Sequence, residues 1–192
     1  RLLRVAQPVR EFDTPELHLK SRKVSLRTRK AGRILLQTVK CGAVSSGGLT
    51  KRPEWEQPFT GEFDFSAIDA ADVATLLNRQ HAGLVPVFTT RFRRETRRYQ
   101  PREGLSILMM IDTGTVSCTD ANGVERSAPI CELELELEEG RPADLFVVAS
   151  ELAQTLPLMP ADLSKAERGY NLFLDLPLQV VRAEVSNIRA DD

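Results

Sequence analysis

The chain has 192 residues, 42% of them hydrophobic, and its 26 basic and 27 acidic residues leave a formal net charge of −1. This length can bury the core of a single domain, and the balanced charge disfavours a uniform nucleic-acid-binding surface. No run is long and apolar enough for a membrane span or a signal peptide. The three cysteines lack metal-ligand spacing and the two histidines are isolated. We therefore expect a cytoplasmic protein with no nucleic-acid or membrane partner.

Alternating residues in the first third of the chain predict three successive strands separated by turns rich in glycine and serine. The strands are Val24–Lys30, Arg33–Cys41 and Leu49–Gln57, with turns at Ala31-Gly32 and Ser45–Gly48.

Charged side chains on these strands share one phase of the alternation. A solvated strand face explains any one such pair, but several in succession are harder to explain in that way. If the apolar faces point outward to helices, the charged faces line a lumen, where guanidinium and ammonium groups can bind phosphate. The residues in this phase are Arg27 and Arg29, Thr38 and Lys40, and Arg52, Glu54 and Glu56.

A helix and further strands follow. Ser66 is the predicted N-cap of a helix at Ala67–Arg79, whose apolar residues recur at roughly helical spacing. Strand character then returns, and Asn122-Gly123 predicts a tight hairpin turn. The predicted strands are Val85–Arg98, Leu105–Asp112 and Thr115–Thr119.

Glutamate and leucine alternate strictly from Ile130 to Glu138. As a strand, this segment puts its glutamates on one face, about 7 Å apart, where they repel one another unless positive charge lies nearby. A half-buried strand with a solvated acidic face is one interpretation, and a strand lining a cavity that holds cations is the other. The basic strands favour the second, and we predict that Glu132 and Glu134 point inward, opposite Arg27 and Arg29.

Pro142 begins a second predicted helix, which runs to about Leu156. Hairpin-sized strands combined with two amphipathic helices predict an antiparallel α+β domain, and closure of the sheet would remove its edges. We predict one domain at residues 1–175 and an extension or linker at residues 176–192.

Six segments follow one another in an order that is typical of a known family: Phe12–Pro15, Leu26–Arg29, Thr38–Lys40, Arg52–Glu54, Ile130–Leu137 and Ser164–Tyr170. They resemble the CYTH domain of the triphosphate tunnel metalloenzymes. The resemblance is closest to the bacterial inorganic triphosphatase branch, in which a helical CHAD domain often follows downstream. It covers residues 12–174, and its specificity comes from the order of the motifs.

The resemblance implies an eight-stranded antiparallel β-tunnel with flanking helices. Basic residues would bind a linear triphosphate or polyphosphate, and carboxylates would hold Mg²⁺ or Mn²⁺, which prefer oxygen ligands. Arg91 is a near alternative to Arg94, and Arg168 and Tyr170 fit structural roles equally well. The implied substrate-binding residues are Arg27, Arg29, Lys40, Arg52, Arg94 and Lys165, the implied metal ligands are Glu132, Glu134, Asp112, Glu136 and Glu54, and the implied catalytic residues are Glu132, Glu134, Arg94 and Lys165.

One departure from the family concerns the N-terminus. The family's first strand has the form Glu-x-Glu-x-Lys, and residues 1–11 do not supply it. One possibility is that this strand lies upstream of Arg1, in which case we expect it to complete the metal site. The other is that the protein is a natural truncation whose tunnel is open along one side.

The sequence leaves three functions open. The first is metal-dependent hydrolysis of inorganic triphosphate to diphosphate and phosphate, with water attacking from the metal shell or oriented by a carboxylate. The second is a non-catalytic polyphosphate-binding module. The third is thiamine-triphosphate hydrolysis or nucleotide cyclisation, for which Trp55, Phe88 and Tyr99 are candidate stacking residues.

Overall fold

The computed structural model describes residues 2–4, 8–42, 44–46, 49–51, 53–120 and 122–176. The strands in these ranges are β1 (Leu2–Arg4), β2 (Val9–Asp13), β3 (Val24–Ala31), β4 (Ile34–Cys41), β5 (Val44–Ser46), β6 (Leu49–Lys51), β7 (Glu54–Pro58), β8 (Val85–Arg102), β9 (Leu105–Thr119) and β10 (Glu125–Glu139). The helices are α1 (His18–Ser21), α2 (Ala71–Gln80), α3 (Pro142–Ala153) and α4 (Lys165–Phe173). None of these helices is both long and apolar enough to cross a membrane.

One antiparallel sheet organises the fold. Its strand order is β10-β9-β8-β2-β3-β4-β7, and β1 pairs with β8 at residues 94–96, next to the segment of β8 that pairs with β2. The strands β5 and β6 form a separate two-stranded ribbon. The predicted antiparallel α+β fold is therefore confirmed. Within the described strands no pairing joins β7 to β10, so hydrogen bonds do not close the sheet into a tunnel.

Strand alternation gives the outer face of this sheet apolar areas that are covered by helices. Leu26 of β3 packs with Leu77 of α2 in a core that also includes α1. Along β9 and β10, Ile107 and Leu135 pack against Val148 of α3. Burial of this apolar area provides the main favourable free energy of folding, and it fixes which face of each strand remains for charge.

The helix α4 lies on the opposite, inner face of β8, β9 and β10. Ser164 caps it: its hydroxyl accepts from the backbone N–H of Glu167 at 3.2 Å, and the Glu167 carboxylate accepts from the N–H of Ser164 at 2.8 Å. A side chain at Gly169 would overlap the ring of Phe88. Glycine thus lets α4 approach β8 closely, and Tyr170 packs beside the same ring.

The strand β9 is continuous, although the sequence predicted a break between Asp112 and Thr115. Gly114 lies in mid-strand, where a Cβ atom would overlap the backbone of Arg91 and Phe92 on β8. The glycine marks a close approach between two strands, not a turn.

The predicted strand Leu49–Gln57 is divided in two. Its first part is β6, which pairs with β5 inside the predicted turn region, and its second part is β7, which pairs with β4. Pro53 lies between them and has no N–H to donate to a ladder. Arg52, a predicted phosphate-binding residue, lies outside the described residues.

The helix boundaries also differ from the predicted ones. The helix α2 begins at Ala71 instead of Ala67, after a turn in which the N–H of Ile68 donates to the carbonyl of Phe65 at 3.2 Å. The helix α3 ends at Ala153, short of Leu156.

Candidate active site

The sheet register brings the predicted site residues onto one face. Across β10, β9 and β8, Glu132 aligns with Asp112, and Asp112 with Arg94. Across β3, β4 and β7, Arg27 aligns with Thr38, and Thr38 with Glu56. Residues aligned in adjacent strands point to the same side of a sheet, and β2 connects the two rows in phase. The inner face therefore carries an acidic region on β9 and β10 and a mixed basic region on β3, β4 and β7.

Three carboxylates form the centre of the acidic region. One oxygen from each of Asp112, Glu132 and Glu134 lies within 4.8 Å of the other two, and Asp112 is fully buried. We call these three residues the carboxylate triad. Such an oxygen-only set has the chemistry that Mg²⁺ and Mn²⁺ prefer.

Lys165 reaches the triad from the first turn of α4. Its Nζ atom lies 2.7 Å from Asp112 and 2.5 Å from Glu134, and it also pairs with Glu132. Its side chain is only 15% exposed. An ammonium group thus contacts all three carboxylates, which offsets their mutual repulsion.

Arg94 contacts the triad from β8. Its guanidinium makes two hydrogen bonds to Asp112, from Nε at 2.7 Å and from Nη2 at 2.6 Å, and a third to Glu134 at 2.6 Å. Paired donors of this kind match the geometry of a carboxylate. The ring of Phe92 lies near both cations, 5.5 Å from the Arg94 guanidinium carbon and 5.0 Å from the Lys165 ammonium.

These contacts keep Glu134 ionised. Burial alone would raise the pKa of Glu134, but Lys165 and Arg94 outweigh it and lower this pKa to about 2. Burial would likewise lower the pKa of Arg94 and of Lys165, yet their carboxylate partners raise both pKa values. All of these groups are therefore charged at neutral pH.

The basic region contains a second set of ion pairs. Glu54 pairs with Lys40 at 2.6 Å and lies 3.8 Å from Arg27. Glu56 pairs with Arg29 at 2.7 Å and accepts a hydrogen bond from Thr38 at 3.1 Å. These side chains are between 15% and 42% exposed, except the buried Thr38, so an anion from solvent can reach the region.

Residues 12–170 match the model of the CYTH domain. The chain belongs to the CYTH domain family. Its fold also resembles a putative adenylate cyclase from Bacillus halodurans, with a TM-score of 0.56, 19% identity and coverage of 85% of this chain and 81% of that one. A putative adenylyl cyclase from Hippeastrum, described as having a dominant triphosphatase activity, matches with a TM-score of 0.51, 18% identity and coverage of 89% and 82%.

A curated relative, the inorganic triphosphatase of Haemophilus influenzae, is 27% identical over 161 residues. The match covers 84% of this chain and 44% of the relative, so the chain spans less than half of the relative's length.

The CYTH residues expected from the sequence fall into three groups. Asp112, Glu132, Glu134, Arg94 and Lys165 come together in the acidic region, and Arg27, Arg29, Lys40 and Glu54 in the basic region. Glu136 is exposed and lies outside the carboxylate triad, and Arg52 lies outside the described residues.

The inward phase of Glu132 and Glu134 agrees with the sequence, and their position opposite Arg27 and Arg29 stays a prediction. Their ion pairs are with Lys165, Arg94 and Arg168, and three strands separate β10 from β3 in the sheet.

Arg91, the near alternative to Arg94, lies on the outer face and not on the inner one. It aligns with Thr115 and lies three residues from Arg94, an odd spacing that puts the two side chains on opposite faces of β8.

Arg168 is the functional candidate that the sequence left undecided. One turn beyond Lys165 on α4, its guanidinium pairs with Glu132, while its buried Nε has no hydrogen-bond partner. The spacing of Lys165 and Arg168 on one helix face, after a capping serine, was the signal in the sequence.

Proposed function

We propose that this CYTH domain hydrolyses inorganic triphosphate with the help of a divalent metal ion. The observation that carries the proposal is the division of one sheet face into a carboxylate triad and a separate basic region. The triad suits a cation and the basic region suits a polyanion. The activity named for the Haemophilus influenzae relative supports the same choice.

In this proposal Arg27, Arg29 and Lys40 bind phosphate oxygens. Each already pairs with a partly exposed glutamate, so a phosphate group can replace a carboxylate as the partner. Guanidinium groups suit this exchange because their paired donors match both anions. The ligand would enter through the partly exposed side of the basic region and extend toward β8.

The triad residues Asp112, Glu132 and Glu134 would hold the metal ion. When bound, a divalent ion neutralises phosphate charge and lowers the pKa of a coordinated water. Lys165 and Arg94 hold the triad carboxylates in position, and both offer hydrogen-bond donors beside them. Positive groups placed next to the transferred phosphoryl group stabilise the charge that develops on its oxygens.

The overall reaction requires water to add to the terminal phosphorus as the bridging P–O bond breaks. Orthophosphate and diphosphate are the products. The carboxylates of the site offer acceptors for the proton that water loses, and the cations offset the charge of the departing diphosphate.

An inorganic ligand fits this face better than an organic triphosphate. The three aromatic residues considered for stacking are not available on the inner face: Phe88 is buried beneath α4, and Trp55 and Tyr99 align with the outer-face residues Val39 and Ile107. None of these three rings is therefore placed to stack on a base or thiazole at the inner face, and the half-buried Phe92 there already lies against Arg94 and Lys165.

The test is phosphate release from inorganic triphosphate, ATP and thiamine triphosphate, each with Mg²⁺, with Mn²⁺ and with a chelator. We expect metal-dependent turnover of inorganic triphosphate above the other two substrates, and its loss in Glu134→Gln. The matched control is Glu151→Gln, which changes an exposed glutamate of α3. Binding of triphosphate without any turnover would instead support the non-catalytic module.

A further inference from the structure

The outer face of the sheet carries a second group of arginines, away from the candidate active site. Arg10 aligns with Thr89, Thr89 with Ser117 and Ser117 with Ser127, so one row crosses β2, β8, β9 and β10. In the next two rows along the strands, Arg91 aligns with Thr115 and Arg93 with Thr113. In the two-residue alternation, all of these positions point to the same side of the sheet as Ile107, whose side chain packs on the outer helix α3.

This part of the outer face is open to solvent in the described structure. Arg10, Arg91, Arg93, Thr113, Thr115 and Ser127 are exposed, and the neighbouring Ile111 is 51% exposed. Farther along the same strands the outer face is buried beneath α3. An uncovered sheet face that is rich in arginine and hydroxyl groups contrasts with the apolar areas beneath the helices.

Charge on this face is less compensated than charge on the inner face. Arg93 pairs with Glu95 of the same strand. For Arg10 and Arg91, no carboxylate among the described residues lies within ion-pair distance. Beside them is a cavity of about 480 Å³, the hydroxyl-lined hollow, whose lining includes the hydroxyl residues Thr89, Ser117, Thr119 and Ser127 and the charged residues Glu125 and Arg126.

We propose that Arg10, Arg91, Arg93 and the adjoining hydroxyl-lined hollow form an exterior binding surface for long-chain inorganic polyphosphate. Guanidinium groups bind phosphate through paired donors, and serine and threonine hydroxyls add neutral donors. From the row of Thr89 to the row of Arg93 the strand rises about 13 Å, so the surface suits an extended anion. It offers no exposed aromatic ring in these rows, which disfavours single-stranded nucleic acid as the ligand.

The surface would hold part of a long chain while its end reaches the candidate active site. This role of the surface extends the proposed hydrolysis of phosphoanhydrides and rests on it. Binding itself does not depend on turnover, so the two proposals can fail separately.

The experiment measures the affinity of the full chain for a long-chain inorganic polyphosphate by calorimetry, in a chelator so that no hydrolysis occurs. Four proteins are compared: wild type, Arg10→Gln/Arg91→Gln, the inner-face variant Lys40→Ala, and the triple variant that combines them. The matched control is Arg22→Gln/Arg79→Gln, which removes two exposed charges elsewhere.

We expect Arg10→Gln/Arg91→Gln to weaken polyphosphate binding at least tenfold, since one charge-assisted contact contributes about tenfold or more. Lys40→Ala should retain measurable binding that the triple variant loses. Phosphate release from inorganic triphosphate should be unchanged in Arg10→Gln/Arg91→Gln.

Three results would overturn the proposal: equal affinity in the Arg10/Arg91 variant and the Arg22/Arg79 control, complete loss of binding in Lys40→Ala alone, or equally tight binding of poly-glutamate. The last result would assign the surface to an acidic polypeptide. Absence of phosphate release from the wild type would count against the proposed function and leave the binding comparison valid.

Discussion

At the scale of single residues, the site depends on which charges contact one another. Lys165 touches all three triad carboxylates, and Arg94 binds two of them. Lys40 and Arg27 share Glu54 in the basic region, on the other half of the same inner face. Separation of the two regions lets each be tested by a substitution that leaves the other intact.

Lys40→Ala should weaken binding of inorganic triphosphate by about ten- to a hundredfold, because a hydrogen bond to a charged group contributes about 1.5–3 kcal/mol. The measurement is calorimetric titration in a chelator. Lys30→Ala, at an exposed position of the same hairpin, is the control and should bind as the wild type does. Unchanged affinity in Lys40→Ala would remove this lysine from the site.

Glu134 should make stability depend on pH in the acidic range. Its pKa is lowered from 4.5 to about 2 in the folded protein, so the unfolded state binds the proton more readily. The stabilisation is fully present above pH 4.5 and is lost as the pH falls toward 2. Denaturant unfolding of metal-free wild type and Glu134→Gln should show a steeper decline for the wild type across this window. Parallel curves would contradict the lowered pKa.

At the scale of elements, α4 links the inner face to the rest of the fold. Its apolar side packs on β8 through Gly169 and Tyr170, and Lys165 and Arg168 reach the triad from its first turns. The helix therefore positions cations next to the three carboxylates, and a divalent ion would have to share those oxygens with Lys165.

Lys165→Met should destabilise the metal-free protein and increase the stabilisation gained from Mn²⁺. Removal of the ammonium leaves the triad carboxylates to repel one another, so a divalent ion gains more by binding there. Thermal unfolding with and without Mn²⁺ measures both effects, and Lys30→Met is the control. A smaller shift with Mn²⁺ in Lys165→Met than in the wild type would show that the lysine assists metal binding.

At the scale of the whole molecule, the two faces of the sheet differ in what they carry and in what covers them. Helices cover the outer face of one half and one end of the other, whereas the inner face collects charge. We propose that residues 1–175 form the CYTH unit and that residues 176–192 extend from it. The family match at residues 12–170 lies within the proposed unit.

The proposed boundary predicts that a chain ending after Leu176 keeps the stability of the full chain. It retains Asp175, which pairs with Arg126 at 2.7 Å, and every core cluster of the described residues. Denaturant unfolding should give the same free energy of unfolding within about 0.5 kcal/mol. A larger loss would place residues 177–192 in the folded unit.

The sequence by itself determined the two-faced character of the strands. Alternation has a fixed period of two, so the separation of Glu132 and Glu134 from the leucines, and of Arg27 and Arg29 from Leu26, follows from local geometry. The order of the motifs then indicated the CYTH family, and the match at residues 12–170 confirmed it.

Only the tertiary structure decided which charges meet. Strand order separates β10 from β3, cross-strand register selects Arg94 over Arg91, and the packing of α4 brings Lys165 to the triad. These contacts join residues that are far apart in the chain. An alternation with a period of two is the same in every strand, so it does not indicate which strands lie next to each other. Gly114 shows the same limit: a close approach between strands and a turn both require glycine, and only the position of β8 distinguishes them.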